Sequence, residues 1–113
     1  MTVYHFSNYK FEKFDLSKFG ENCFTRKDRT ILDTPRIYFY KDPSKRELFI
    51  GSKYCYVCEV DESKVYKEKE LFKRYEVLHD AIEAILNEGY EGIEYGNVVV
   101  LFRVENVKIL EVR

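Results

Sequence analysis

Two cysteines three residues apart are the first side chains in this sequence whose types and spacing could do chemistry. Cys55 and Cys58 form a C-x-x-C pair, a spacing used by zinc sites and thiol redox centres. The surrounding residues 53–60 are typical of a β-strand, in which side chains three apart point to opposite faces. We therefore expect the thiols to diverge and fill apolar space, and we expect no metal, because no nearby ligands complete a zinc site.

Histidine and glutamate side chains are the other candidates for chemistry. The chain has only two histidines, His5 and His79, so general acid–base catalysis has few possible participants. Glu91 and Glu94 lie close together in sequence and would ordinarily be surface carboxylates. The sequence has neither a glycine-rich phosphate loop nor a nucleophile elbow, and residue types alone therefore assign no catalytic site.

Length, charge and hydropathy narrow the class of protein. The 113 residues suffice for one domain, and the net charge of −1 argues against binding nucleic acid mainly through phosphate neutralisation. No apolar stretch is long enough to span a membrane, so we expect no membrane partner and a cytoplasmic location, in the host cytoplasm if the protein is viral. A surface rich in Lys and Glu without Gln fits a thermophile or an AT-rich genome.

The elements that must position these residues follow from hydrophobic periodicity. The predicted strands cover residues 2–6, 36–40, 53–60, 92–95, 98–102 and 107–112. Asp42 and Pro43 predict the start of a short helix that ends near residues 49–51, and residues 76–88 form the main helix, closed by Gly89. A loop with a helical turn is expected over residues 7–34. The order predicts an α+β fold with a mostly antiparallel split sheet, one main helix and one or two short helices.

Three segments, taken in order, resemble the ADP-ribosyltransferase family and the related RNA 2′-phosphotransferases. The first is Tyr4-His-Phe-Ser7, which is similar to the family's first-strand His motif. The second is Arg36-Ile-Tyr-Phe-Tyr-Lys-Asp-Pro43, an aromatic strand that runs into a short helix. The third is Gly89-Tyr-Glu-Gly-Ile93, between a helix and a Val-rich strand. Together with residues 56–65, these segments cover most of the chain.

The resemblance implies NAD as substrate and an active site between two halves of a split sheet. His5 would bind the nicotinamide-side ribose, with Ser7 and Tyr38 beside it, and Phe49 would stack on the nicotinamide ring. Glu94, with Glu91 as second choice, would stabilise the oxocarbenium-like transition state. The implied reaction is transfer of ADP-ribose to a macromolecular acceptor, protein or nucleic acid, by a viral or mobile-element effector.

Two alternatives remain open from the sequence. A catalytically inactive binding module for nucleic acid or a host protein is favoured by the aromatic and basic residues 36–49, which could stack on bases and contact phosphates. A dimerisation or scaffold protein is favoured by the surplus of aromatic residues, some of which could stay exposed. The sequence is compatible with a monomer or a dimer.

Overall fold

Seven β-strands and one α-helix of ten residues form the framework of the described part of the protein, and residues 68–70 are helical as well. The computed structural model describes residues 1–16, 35–43, 52–70 and 78–113. The strands are β1 (Thr2–Ser7), β2 (Ile37–Tyr40), β3 (Tyr54–Glu59), β4 (Val65–Lys67), β5 (Gly92–Tyr95), β6 (Val98–Leu101) and β7 (Lys108–Val112). The helix α1 spans Leu78–Asn87, and a 3-10 turn, Glu62–Lys64, precedes β4. The predicted short helix after Asp42, and most of the predicted loop over residues 7–34, lie outside the described residues.

All seven strands belong to one mixed sheet with the order β4-β5-β6-β2-β1-β3-β7. The predicted fold class, an α+β fold with a mostly antiparallel split sheet and one main helix, is therefore wrong. The sheet is continuous because β2 pairs with β1 on one side (Tyr4↔Tyr40) and with β6 on the other (Phe39↔Val99). It is mixed because β4 runs parallel to β5.

The strand β4 is the element that sequence periodicity missed. It has only three residues, and it follows the Asp61-capped 3-10 turn inside a connection rich in Lys and Glu. Three residues are too few to establish an alternating pattern. The strand is identified by its pairing with β5, with the helix α1 lying between the two in sequence, as parallel neighbours require.

The two faces of the sheet are covered differently. On what we call the helix face, α1 packs its Ile82 and Ile85 against Ile93 and Val100. On the opposite side, the loop face, Phe11 and Phe14 of the segment 8–16 pack on a core that includes Tyr56. Strand β6 contributes to both cores, since Val99 and Leu101 face the loop side and Val100 faces the helix, as its uninterrupted apolar sequence predicts.

Two glycines close the local turns around β5. Gly89 has φ +100 and ends α1, as the sequence predicts, and Gly96 has φ +54 in the tight turn between β5 and β6. No helix in the described part of the chain is both long enough and apolar enough to cross a membrane.

Candidate functional site

His5 lies on the loop face of β1, inside a cluster of aromatic rings. Its ring centroid is 5.2 Å from that of Phe14, 5.5 Å from Phe39 and 6.3 Å from both Phe11 and Tyr56. Burial lowers the pKa of His5 below its usual 6.5, and the hydrogen bond to Tyr38 opposes that shift only in part. The imidazole is therefore neutral at pH 7 and packs as one ring of an aromatic core.

The hydrogen bond of His5 fixes its tautomer. Its Nδ1 lies 2.8 Å from the backbone carbonyl oxygen of Tyr38. A carbonyl oxygen only accepts, so Nδ1 must carry the proton and donate it. The ring thereby provides a donor for a main-chain acceptor of β2. The pairing between β1 and β2 is short, with Tyr4↔Tyr40 as its register pair.

Tyr56 binds the segment 8–16 to this cluster through hydrogen bonds and ring stacking. Its hydroxyl donates to the carbonyl oxygen of Tyr9 at 2.8 Å and accepts from the backbone N–H of Phe11 at 2.8 Å. Its ring stacks on Phe11, with centroids 4.2 Å apart. Ser7, a predicted cofactor contact, is buried and accepts a hydrogen bond from the N–H of Tyr9 at 3.1 Å, so its hydroxyl takes part in the turn that starts this segment.

The side chain of Tyr38, another predicted cofactor contact, lies on the opposite face of the sheet from His5. Tyr38 pairs with Val100 of β6 and packs with the helix-face core. Its hydroxyl accepts a hydrogen bond from Nε of Arg36 at 2.9 Å. The sheet therefore separates the Tyr38 ring from the His5 ring, although the His5 ring is hydrogen-bonded to the backbone carbonyl of Tyr38.

Glu94, the first choice for a catalytic carboxylate, lies on the loop face but far from His5. The register runs from Glu94 to Val99, then to Phe39, and across β2 to His5, which is three strand spacings. With strands about 4.8 Å apart, the two Cα atoms are about 14 Å apart. The fully buried Val99 and Phe39 fill the space between them.

The carboxylate of Glu94 has a partner of its own. Its Oε1 lies 2.8 Å from Nζ of Lys41, with 17% of the Glu94 side chain and 35% of the Lys41 side chain exposed. Lys41 follows β2, so the pair links the ends of β2 and β5 across β6. The position of this ion pair favours a structural role, in which it holds the ends of β2 and β5 together.

Glu91, the second choice, lies at the other end of β5. Its Oε2 accepts a long hydrogen bond of 3.4 Å from Nδ2 of Asn106. Together with Asp61 and Val107 it lines a cavity of about 10 Å³. That volume holds no more than about one water molecule and is far too small for a nicotinamide ribose. Phe49, the predicted stacking residue, lies outside the described residues.

The two cysteines of the C-x-x-C pair point to opposite faces, as their spacing predicts. Cys55 pairs with Phe6, and Cys58 pairs with Val3. Burial, with a smaller contribution from Cys55, raises the pKa of Cys58 to about 12, so this thiol stays protonated at neutral pH. Within the described ranges, no group of three or more His, Cys, Asp or Glu side chains is arranged to hold a metal ion.

The strand β7 is the feature with binding potential that sequence reasoning did not single out. It lies at one end of the sheet, and no other strand of the described chain pairs with its outer side. It carries two exposed apolar side chains, Leu110 at 58% and Val112 at 37%. The opposite edge, β4, is three residues long, and short edge strands are a common protection against unwanted pairing.

The backbone of β7 offers hydrogen-bonding groups on its outer side. Arg113 directs both its N–H and its C=O to Cys55 of β3, at 2.8 and 2.9 Å. Because the main-chain groups of successive strand residues point to opposite sides, the N–H and C=O of Val112 point outward. The sequence predicts this strand, but only the strand order identifies it as an edge.

Comparisons with known proteins add no relative. No protein-family model matches this chain, no curated protein matches it, and no solved structure matches it. The resemblance to ADP-ribosyltransferases therefore stays a prediction that depends on the three segments quoted above.

Replacing Glu94 with glutamine is expected to lower the free energy of unfolding by less than about 1 kcal/mol, because an ion pair that stays partly exposed to water contributes little. Lys41→Met is the matched control and should have a similar effect, and the double variant should lose less than the sum of the two. Urea denaturation of the three variants measures this. Strictly additive losses would show that the Lys41–Glu94 pair contributes nothing in solution.

Proposed function

We propose that this protein is a non-enzymatic protein-binding domain in which β7 adds a strand from a partner protein to the edge of the sheet. The observation that carries the proposal is the exposure of Leu110 and Val112 on β7, whose outer side pairs with no other strand of the described residues. Strand addition obtains affinity from main-chain hydrogen bonds and specificity from alternate side chains. The outward N–H and C=O of Val112, and the exposed side chains of Leu110 and Val112, support strand addition at β7.

The side chains of β7 support an extended protein segment, rather than a nucleic acid, as the ligand at this edge. Lys108 and Glu111 are the two charged residues of β7 and balance each other, so this strand has no excess of positive charge to attract phosphates. The apolar Ile109 packs against the loop-face core, and Val112 pairs with Tyr56 on the same face. A partner strand with apolar side chains on that face would extend the core by one strand.

Transfer of ADP-ribose from NAD stays a hypothesis with less support. It requires His5, an aromatic ring and a carboxylate around one nicotinamide ribose. His5 is enclosed by Phe11, Phe14 and other rings, and Glu94 is three strands away and paired with Lys41. Incubation with labelled NAD tests it: product or hydrolysis that is lost in Glu94→Gln would favour an active transferase.

Substitution of Val112 with proline tests strand addition at β7. Because the Val112 N–H points outward, proline removes a donor needed by a partner strand and leaves the β3–β7 hydrogen bonds of Arg113 in place. We expect binding of extended peptides, selected from a display library, to weaken at least about tenfold, with unfolding within about 1 kcal/mol of wild type. Val112→Thr, which keeps the N–H, is the matched control.

Calorimetry with three ligands distinguishes the competing functions. The selected peptide, NAD and a single-stranded oligonucleotide are titrated into the same protein. Peptide binding that Val112→Pro abolishes and Val112→Thr retains supports the proposal. Heat from NAD or from the oligonucleotide, with no selected peptide dependent on Val112, would contradict it.

A further inference from the structure

A bulge in β7 changes which of its side chains share a face. Val57 of β3 pairs with Glu111, but the next residue, Cys58, pairs with Ile109, so Leu110 is an extra residue in β7. Lys108 then pairs with Glu59. Since Val57 and Glu59 both point to the helix face, Lys108 and Glu111 lie on that face together, although they are three residues apart.

We propose that the partner strand at β7 is the β7 of a second copy of this chain, arranged antiparallel about a two-fold axis perpendicular to the sheet. This inference rests on the proposed function, since it names the partner for the same edge. Such an axis keeps the helix faces of both copies on one side, and each contact then occurs twice. The dimer would have one sheet running continuously through both copies.

The charges of β7 are complementary under this symmetry. With the axis between Ile109 and Leu110, Lys108 of each copy lies opposite Glu111 of the other, on the same face. In a strand without the bulge, residues 108 and 111 would point to opposite faces and could not meet in this way. Opposite charges directly across a strand pair stabilise it, and like charges destabilise it.

The apolar side chains of β7 are complementary as well. Two residues of a bulge oppose one residue of the neighbouring strand, so Ile109 and Leu110 lie together opposite Cys58, and Ile109 packs on the loop-face core. In the symmetric pair, Ile109 of one copy meets Leu110 of the other. This contact would cover Leu110, which is 58% exposed in the single chain, and continue the loop-face core across the interface.

Charge reversal tests the proposed register. Lys108→Glu places a carboxylate opposite the carboxylate of Glu111 in the second copy, and Glu111→Lys places two ammonium groups opposite each other. Each variant alone is expected to raise the dissociation constant of the dimer at least about tenfold in sedimentation equilibrium. An equimolar mixture of the two variants restores opposite charges at both contacts and should form a heterodimer with near wild-type affinity, as should the double variant.

The controls separate the interface from effects within one chain. Lys108 lies near Glu59, and Glu111 forms an ion pair of 3.3 Å with Arg113, so thermal unfolding of each variant is measured in parallel. Rescue in the mixture cannot come from repair of either chain by itself. Val112→Pro, which removes the outward N–H, should also abolish the dimer.

Each outcome decides between the two proposals. Rescue in the mixture supports the second copy as partner. A wild-type chain that stays monomeric at every concentration, yet binds selected peptides through Val112, overturns this inference and leaves the proposed function standing. A dimer insensitive to charge reversal and to Val112→Pro would place the contact elsewhere and also overturns it. Failure of both dimer and peptide binding contradicts the proposed function itself.

Discussion

Replacement of Gly92 with alanine is expected to destabilise the protein by about 3–5 kcal/mol or to prevent folding. Gly92 lies in β5, between β4 and β6, and pairs with Leu101 on the loop face. A Cβ atom at this position would overlap the carbonyl oxygen of Val100 and lie 2.6 Å from Cδ2 and 3.0 Å from Cα of Leu101. Two of these three atoms are backbone, so relief requires movement of β6 against β5.

Gly96→Asn is the control for this prediction. Gly96 has a positive φ of +54, which asparagine adopts more readily than other residues, and a Cβ there has no atom within 4 Å. We expect a loss below about 1 kcal/mol. Urea denaturation, with circular dichroism as the readout, measures both variants. Equal stability of Gly92→Ala and Gly96→Asn would show that β5 and β6 do not approach each other as described.

Substitution of His5 is expected to have the second largest effect and to change how stability depends on pH. His5→Ala removes a ring from the aromatic cluster and the hydrogen bond from Nδ1 to the carbonyl oxygen of Tyr38. The loss of packing and of the hydrogen bond together should lower the free energy of unfolding by about 2–4 kcal/mol at pH 7. His5→Phe keeps the ring and should lose less.

The sign of the pH effect follows from the direction of the pKa shift. Burial lowers the pKa of His5 in the folded protein below the value of about 6.5 in the unfolded chain, so folding favours the neutral imidazole. Its contribution to stability is fully present above about pH 6.5 and is lost as the pH falls through the folded pKa. The wild type should therefore lose stability as the pH falls below about 6.5.

His5→Phe should flatten that dependence, and His79→Asn serves as the control for the other histidine. The carboxylates of Glu59 and Asp61 have lowered pKa values, held down chiefly by hydrogen bonds, so their contributions are lost only at more acidic pH. Urea midpoints measured at and just below about pH 6.5, where these carboxylates stay ionised, therefore isolate the contribution of His5. A wild type and a His5→Phe variant with parallel curves would contradict the assignment of a neutral imidazole packed among aromatic rings.

The sequence predicts local structure at β1 and β6 well because alternation and apolar runs are local signals. The order of the strands is not local. That β2 lies between β1 and β6, which makes one sheet of two predicted halves, depends on pairing between distant segments. The bulge that leaves Leu110 without a partner in β3 depends on the fit of β7 to β3 and has no pattern in the sequence.

The sequence predicts the local position of each candidate site residue, but it does not predict which of these residues lie together. Alternation along β1 places His5 on the same face as Val3, but the aromatic rings that enclose it include Phe11 and Phe14, which return from an irregular segment. The separation of Glu94 from His5 is set by strand order. Motif similarity can therefore propose the three groups of a site without determining that they meet.

The strand order also governs how the chain must fold. Only β5 and β6, among the strands described, form a hairpin between consecutive strands with a tight turn, and β2 pairs with β6 from more than half the chain away. Closing such a long loop costs entropy before the contacts that compensate it can form. Refolding should therefore be slow for a domain of this size, with the β5–β6 hairpin structured early in the transition state and β2 joining it late.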